Sequence, residues 1–527
     1  YNFIKKESSF SVDYTSSGSV NHAKGLVKCS ASDNSTGNSQ LNQNFNRTTT
    51  PAYVHTYLLT SVLSTDYQDV DDNGPSDNDL GSYTKFTYTD PGNTNRYKWR
   101  VPAEAGYATY NPGLNTDKDD DEGSIIYGEK AQKYIEIIET KTHIAVFKLS
   151  NRKDALGVLG ENGGNNTSLV SKKLEKISLY SKPEYQALGL NAKPIKEVHF
   201  EYSYSLCPGV PNTDPSQTFL PDEKSNALGK LTLKKIYFTY RDSKMGKYTG
   251  YRFNYNEYQD GKDEYTGGNL QIGTNNPNNP EYNIKGYDSW GKYKPSGAVS
   301  GANTNPVTAA EFSFTGQDRT TQDAHSSVWC LKKIYTPSGG QISVEYESDD
   351  YNYVQDKKAL MMYKVMGAGD SPVPNVNSDI SGELYDGSIL KKHKKYLYVQ
   401  VPAGSDCNNS STSAKLRQLF FSNLEESLLQ FRFFLNMTKQ GGNDGSASNI
   451  NSSFFDYVSG YGKINMQDSL NCKIIGGNKF ISIPLQWVER EGPVNGDKQV
   501  NAVAKAAWNF GRKYLSKQVY GTAPNGN

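Results

Sequence analysis

Residues 331–346 read Leu-Lys-Lys-Ile-Tyr-Thr-Pro-Ser-Gly-Gly-Gln-Ile-Ser-Val-Glu-Tyr, two short alternating runs on either side of a turn. Alternation with a period of two places successive side chains on opposite faces of a β-strand, so each run predicts a strand. Pro presets the backbone of a turn, and Gly readily adopts the positive φ that tight hairpins need. The segment therefore predicts an antiparallel strand pair with its hairpin at Pro337 to Gly340.

The same strand pair occurs twice more, earlier in the chain. The motif Leu-x-Lys-Ile recurs at residues 174–177 and 233–236, and an aromatic run ending in Tyr follows each copy, at 198–202 and 251–255. Repetition of one unit is typical of stacked β-architectures, in which each unit buries its apolar face against the next. We predict a mainly β protein, with consecutive antiparallel strands from about 170 to 352.

The composition fits a large β-rich protein. Among the 527 residues, Tyr is unusually abundant, with 38 against 20 Phe and 5 Trp. A tyrosine suits a half-buried strand because its ring packs while its hydroxyl reaches water. The 57 Lys and Arg nearly balance the 56 Asp and Glu, so no net field favours nucleic acid. We expect no nucleic-acid partner, and no apolar run approaches the ~18 residues of a transmembrane segment.

Changes in sequence character divide the chain into three regions. Residues 1–150 predict an N-terminal β region with an acidic loop, and residues 151–360 hold the repeats. Residues 361–527 predict a smaller C-terminal α/β portion. There, apolar residues at three- and four-residue spacing predict amphipathic helices from Ser413 to Leu435 and from about Val500 to Leu515.

The five cysteines are scattered, with no CxxC pair and no metal-ligand spacing. An odd number cannot pair completely within one chain. A chain of this length does not depend on disulfides for its core. We interpret the cysteines as mainly reduced or partly buried thiols and leave one or two disulfides open.

The best candidate for a binding site is the acidic loop at residues 69–80. Counted from its first Asp, oxygen ligands fall at positions 1, 3, 5 and 9, the Pro75 carbonyl supplies position 7, and a Gly stands at position 6, as in calcium-binding loops. Leu80 stands where a bidentate Glu is usual, so we predict a weak calcium site. The alternative is a solvated acidic turn. The candidate metal ligands are Asp69, Asp71, Asn73, Asp77 and Asp79.

Sequence signatures of common enzyme classes are absent: no HExxH, no GxSxG, no P-loop and no dinucleotide fingerprint. His199 falls within a predicted strand and is interpreted as structural. We expect no enzymatic activity, although a glycosidase carboxylate pair cannot be identified from sequence spacing and stays an alternative. The aromatic residues Tyr287, Trp290 and Tyr293 either stack on sugar rings or pack their turn against the sheet.

Three passages carry a resemblance to known proteins: residues 286–293 (Gly-Tyr-Asp-Ser-Trp-Gly-Lys-Tyr), residues 331–340 and residues 344–347 (Val-Glu-Tyr-Glu). They resemble the large, tyrosine-rich YD-repeat or Rhs-like proteins of Bacteroidota. Residues 63–67 and 141–147 are similar to segments of very large surface or secreted proteins of the same phylum. The similarity extends over about residues 55 to 365.

The resemblance implies antiparallel YD-like strand units, arranged as a shell or solenoid within an exported giant polypeptide. It implies an extracellular or outer-surface location and points to type IX secretion as the export route. The expected function is a non-enzymatic structural or adhesive one, with other parts of a larger polypeptide or surface assembly as partners. The alternatives are a toxin-delivery shell of the Rhs kind and a glycan-binding module. A chain that begins at Tyr1 is expected to be processed or part of a longer protein.

Overall fold

The fold comes from a computed structural model, in which the described residues form two compact units. Unit 1 comprises Tyr1–Asn111, Glu122–Ile284 and Gln322–Ser348, and unit 2 comprises Pro112–Asp121, Lys285–Thr321 and Asp349–Asn527. The structure describes residues 2–11, 20–21, 24–31, 33, 45–89, 96–111, 121–214, 229–241, 243–256, 278–284, 286–288, 290–295, 319–354, 357–358, 360–373, 394–422, 424–436, 455–489 and 499–520.

The strands are numbered here in chain order. The first nine are β1 (Asn2–Ser11), β2 (Val20–Asn21), β3 (Leu26–Lys28), β4 (Phe45–Val54), β5 (Ser61–Leu63), β6 (Tyr83–Tyr88), β7 (Tyr97–Val101), β8 (Tyr107–Asn111) and β9 (Glu122–Lys130). The next nine are β10 (Ile135–Thr140), β11 (His143–Val158), β12 (Asn165–Ser181), β13 (Lys196–Leu206), β14 (Lys230–Thr239), β15 (Tyr251–Asn254), β16 (Lys333–Tyr335), β17 (Gln341–Ser343) and β18 (Tyr353–Val354). The last nine are β19 (Lys357–Lys358), β20 (Lys364–Gly369), β21 (Tyr396–Val401), β22 (Leu428–Asn436), β23 (Phe455–Lys463), β24 (Asn471–Ile475), β25 (Asn478–Pro484), β26 (Trp487–Glu489) and β27 (Gln499–Asn501). The helices are α1 (Lys182–Leu188), α2 (Arg319–Ser326), α3 (Ser413–Phe421) and α4 (Ala502–Tyr520).

Unit 1 contains a ten-stranded sheet in the order β17-β16-β15-β14-β13-β12-β11-β10-β6-β5. Its pairs are antiparallel, and each strand from β10 to β17 lies beside its neighbours in the chain. The prediction of a mainly antiparallel β protein is confirmed. The helices α1 and α2 lie between strands, and all three Leu-x-Lys-Ile motifs are free of helix.

The predicted hairpin is present between β16 and β17. The Thr336 N–H donates to the Gly340 carbonyl at 2.9 Å, and the Gly339 N–H donates to the Thr336 carbonyl at 3.0 Å. Gly339 has φ +88°, a left-handed conformation that a residue with a side chain adopts at a cost. The Gly-Gly turn therefore sets the register of this strand pair.

The three repeats share one register. In each repeat, one residue of the Leu-x-Lys-Ile strand makes the first pair with the strand that follows it. The Leu of the motif lies two residues before this first paired residue. The closing Tyr lies three residues after the residue with which this first residue is paired. The first pairs are Lys176 with His199, Lys235 with Arg252 and Lys333 with Ser343. The strand pairs β12–β13, β14–β15 and β16–β17 are therefore three copies of one structural unit.

The closing Tyr of each unit lies just beyond the end of the ladder between the two strands of that unit. Tyr202 donates its hydroxyl to the Leu174 carbonyl at 2.8 Å, and Tyr255 donates to the Leu233 carbonyl at 3.1 Å. We call this contact the Leu–Tyr clasp. A Lys beside the Leu lies over the Tyr ring in all three units, at 5.6, 5.4 and 5.1 Å from the centroid; these pairs are Lys173–Tyr202, Lys234–Tyr255 and Lys332–Tyr346. A cation over an aromatic face adds a modest attraction.

A second sheet of unit 1 has the order β2-β3-β8-β9-β1-β4, with β7 also paired to β9. Its buried core consists of Phe10, Val27, Ala108, Tyr110 and Ile125. The two sheets of unit 1 meet where the Tyr97 hydroxyl of β7 donates to the Leu156 carbonyl of β11 at 3.2 Å.

Unit 2 is built on a four-stranded sheet, β20-β21-β25-β24, with the strand pairs β22–β23 and β26–β27 and the helices α3 and α4. Its largest core cluster includes Leu397, Leu416, Ile481 and Leu485. Unit 2 combines strands and helices, and its paired strands in these sheets are antiparallel. The helix predicted near Val500 is present as α4, and the side chain of Asn501 accepts the Ala504 N–H at 2.8 Å to cap it.

The helix predicted from Ser413 to Leu435 is wrong in its second half. Helix α3 ends at Phe421, and Leu428–Asn436 is strand β22, paired with β23. Between α3 and β22, Glu426 and Ser427 have φ of 52° and 57°, outside the right-handed helical region, so a helix cannot extend through them into residues 428–435. The apolar residues after this break also alternate with a period of two, and that pattern prevails.

Strand β11 runs through residue 150, the predicted boundary between the first two regions. The division into regions 1–150, 151–360 and 361–527 stays a prediction, separate from the two compact units of the structure.

Candidate functional site

The acidic loop lies between β5 and β6, at one end of the ten-stranded sheet. Its base is closed by an antiparallel bridge between Gln68 and Leu80 and by the Ser64 N–H, which donates to the Ser82 carbonyl at 2.9 Å. Gly81 has φ +76°, and a Cβ there would come within 2.7 Å of the Asp66 carbonyl. The loop is therefore a fixed part of unit 1.

Three of the predicted ligands come together in the loop. Carboxylate oxygens of Asp69, Asp71 and Asp79 all lie within 4.8 Å of one another. The Asp69 carboxylate accepts the Gly74 N–H at 2.9 Å, and the Asp71 carboxylate accepts the Asn78 side-chain amide at 2.7 Å. Hydrogen bonds from the loop itself thus partly compensate the three converging charges.

Asp79 is the centre of the loop. Only 2% of it is exposed, and its carboxylate accepts the Tyr67 hydroxyl at 2.8 Å, the Val70 N–H at 3.1 Å and the Ser76 N–H at 2.8 Å. Burial alone would raise the pKa of the Asp79 carboxyl, but these hydrogen bonds outweigh it and lower the pKa. Burial and the bond to Asp79 raise the pKa of Tyr67. Asp79 therefore stays ionised and organises the backbone around it.

Asp77, the fourth predicted carboxylate ligand, faces a buried lysine. It accepts Lys182 Nζ and, at 2.8 Å, the Tyr83 hydroxyl, while the Lys182 ammonium also contacts Glu139 at 2.5 Å. Lys182 is 4% exposed. Burial would lower the pKa of this ammonium, but its ion pairs with Asp77 and Glu139 raise it. Asp77 fastens the loop to α1.

Two other predicted positions lie outside this group of carboxylates. The Pro75 carbonyl, expected at the seventh ligand position, accepts Lys85 Nζ at 3.2 Å. Asn73 is exposed, and no role is assigned to it. The structure thus assembles a smaller site than the loop pattern predicts: the three carboxylates of Asp69, Asp71 and Asp79. Oxygen ligands of this kind suit a hard cation such as calcium, so the calcium site stays a prediction on these three residues.

His199 lies in a polar cluster on β13 and β14. Its Nε2 is 2.8 Å from Thr239 Oγ1 and 3.5 Å from Glu197 Oε2, and its ring stacks on Tyr237 with centroids 4.6 Å apart. A hydroxyl-activating relay needs the hydroxyl and the carboxylate on opposite ring nitrogens. Here both contact Nε2, so the cluster has the geometry of a structural network. Burial lowers the pKa of His199, and Glu197 opposes that effect without reversing it.

The aromatic turn, which we define as residues 286–294, is held by one buried carboxylate. Asp288 is 3% exposed and accepts the N–H groups of Trp290 at 2.9 Å and Lys292 at 3.0 Å. This brings Tyr287 and Trp290 to the surface, with 51% and 36% of each exposed. Tyr351, which is 46% exposed, lies edge-on to Trp290 with ring centroids 6.0 Å apart.

Comparisons of the chain with family models, curated proteins and solved structures found no match. No helix among the described residues is long and apolar enough to cross a membrane.

Sequence reasoning missed the partners of the acidic loop. Lys182 is 105 residues away from Asp77 in the chain, and Lys141 Nζ, which contacts the Asp79 carbonyl, is 62 residues away. Neither position carries a local signal, because ordinary strand sequences also place lysines there. The tyrosines were a usable signal, since Tyr67 and Tyr83 border the acidic run and both donate to its carboxylates.

Proposed function

We propose that the chain is a non-enzymatic structural or adhesive element of a large exported polypeptide, built from YD-like strand units. In this reading the units form part of a β-shell or solenoid on the outer cell surface or outside the cell. The partners are neighbouring parts of the same polypeptide or of a surface assembly, and type IX secretion is the export route.

The shared register of the three strand pairs carries this proposal. Each unit places the Leu and the Lys of Leu-x-Lys-Ile and its closing Tyr at the same offsets from the first ladder pair. A unit that repeats with a fixed register is typical of a structural repeat, because its recurring residues serve to pair one unit with the next. Two of the three units form the Leu–Tyr clasp, and in all three a Lys lies over the ring of the closing Tyr.

The location can be tested on cells of the organism that encodes the chain. Antibodies raised against the purified chain should label intact cells or detect the polypeptide in the culture medium. External protease should remove the cell-bound signal while a cytoplasmic marker stays intact. A polypeptide found only in the cytoplasmic fraction, and protected from protease until lysis, would refute the export proposal.

A second candidate function is glycan binding at the aromatic turn. Its support is the surface position of Tyr287, Trp290 and Tyr351. Exposed aromatic faces stack on sugar rings, and a single isolated aromatic side chain does so only weakly. A glycan array with the wild-type chain should give hits that Trp290→Ala removes. Tyr248→Ala is the matched control, since Tyr248 is 82% exposed and lies away from the turn in sequence. An array without hits removes this candidate.

A further inference from the structure

Two of the five cysteines lie against each other in the core of unit 2. The Sγ atoms of Cys407 and Cys472 are 2.7 Å apart, although 65 residues separate them in the chain. Both residues are buried, with 3% and 4% exposed. Their separation is only about 0.7 Å longer than a disulfide bond. A bond between them therefore needs a small side-chain adjustment and no rearrangement of the fold.

The chain around both thiols is fixed by hydrogen bonds. The loop that carries Cys407 lies along β24, where the side chain of Asn409 accepts the Ile474 N–H at 2.8 Å. On the other side of Cys407, the Ser405 carbonyl accepts Lys479 Nζ at 2.6 Å. Cys472 itself is paired with Ile481 in the ladder between β24 and β25. The two sulfurs face each other because the backbone on each side of them is held in place.

We propose that Cys407 and Cys472 form a structural disulfide that ties the loop before α3 to strand β24. The reaction joins the two Sγ atoms and breaks two S–H bonds, and a small-molecule disulfide takes up the two electrons. A thiolate of the pair first attacks that disulfide and expels one thiol, and the second cysteine then attacks the mixed disulfide and expels the other. Cys29, Cys207 and Cys330 keep their thiols. This inference is independent of the proposed surface location.

The bond is expected to form while the chain folds. Burial, reinforced by the contact with Cys407, raises the pKa of the Cys472 thiol to about 12, so little thiolate is present in the folded, reduced protein. The same burial shields the finished disulfide from attack by external thiols. Oxidation of the folded, reduced chain should be slow, and refolding in a glutathione redox buffer should give the bond readily.

The test is refolding of the wild-type chain from urea in a mixture of reduced and oxidised glutathione, followed by thiol counting under denaturing conditions. The count should fall from five thiols to three. Non-reducing peptide mapping should show one linked species, containing Cys407 and Cys472, that disappears on reduction. Five remaining thiols, or a mixture of cross-links that includes the other cysteines, would overturn the proposal.

Variants separate this pair from the other cysteines. Cys407→Ser and Cys472→Ser should each leave four thiols and no linked peptide. Cys330→Ser is the matched control, since it removes a cysteine outside the pair: its count should be two, with the linked peptide retained. A linked Cys407–Cys472 peptide missing from the Cys330→Ser protein would contradict the assignment. Because the mapping on the wild-type chain needs no variant, the proposal stays testable even if a Ser variant fails to fold.

Discussion

Removing the two Leu–Tyr clasps should cost about 2 kcal/mol of unfolding free energy in unit 1. Tyr202→Phe and Tyr255→Phe each delete one hydroxyl, which donates to a leucine carbonyl at 2.8 and 3.1 Å, and keep the ring under its lysine. A net hydrogen bond in a folded protein contributes about 0.5–1.5 kcal/mol. Tyr202 is the ladder partner of Leu233, whose carbonyl accepts the second hydroxyl, so the two sites are neighbours and both single variants are measured beside the double variant.

The measurement is urea denaturation followed by tyrosine and tryptophan fluorescence, combined with hydrogen exchange of the amides in β12 to β15. The double variant should unfold at lower urea, and its amides in these strands should exchange faster than those of unit 2. Tyr248→Phe is the control, because it removes a hydroxyl from a tyrosine that is 82% exposed. If the double variant loses no more stability than this control, the clasp does not stabilise the repeat and our reading of the register is wrong.

Three further predictions concern the other sites. Calcium at tenfold its Kd should stabilise the wild-type chain by about 1.4 kcal/mol. The double variant Asp69→Asn, Asp71→Asn should keep its fold and lose the calcium-dependent shift in melting temperature. Equal shifts in both proteins would support the alternative interpretation of the loop as a solvated acidic turn. His199 has a folded-state pKa below its ordinary value, so the unfolded state binds more protons than the folded state. The free energy of unfolding should therefore fall as pH decreases from about 6.5 towards the folded-state pKa. His199→Gln should flatten the pH dependence of the urea midpoint in that window, and an unchanged slope would contradict the structural network around His199. The Cys407–Cys472 disulfide closes a loop of 65 residues and should stabilise unit 2 by about 4 kcal/mol relative to the reduced chain, which differential scanning calorimetry with and without reductant would detect.

The repeats could be predicted from sequence because their information is local. Alternation, the Gly339 turn and the closing tyrosines all act within one strand pair, and the observed ladder follows them. The failure after Phe421 has a physical cause: residues 428–435 are apolar at both helical and strand spacing. Glu426 and Ser427, which lie between α3 and β22, have positive φ, and neither residue type signals this conformation.

The candidate sites were only partly predictable because their decisive contacts are not local. The loop pattern placed Asp69, Asp71 and Asp79 in one group, and their carboxylates do lie near one another because the residues are close in the chain. It could not show that a lysine 105 residues away takes Asp77 out of the group. The pairing of Cys407 with Cys472 was hidden in the same way, because five cysteines allow many pairs and only the fold selects one.

The chain-order sequence of strands in the ten-stranded sheet bears on how the protein is made. From β11 to β17, each strand pairs with the strand that precedes it along the chain. Such a sheet can grow by one strand at a time, and its connections are short except for the 78 residues between β15 and β16. Delivery from one end, by a ribosome or through a narrow translocation channel, then leaves little apolar strand surface unpaired at any moment, which limits aggregation during synthesis or passage.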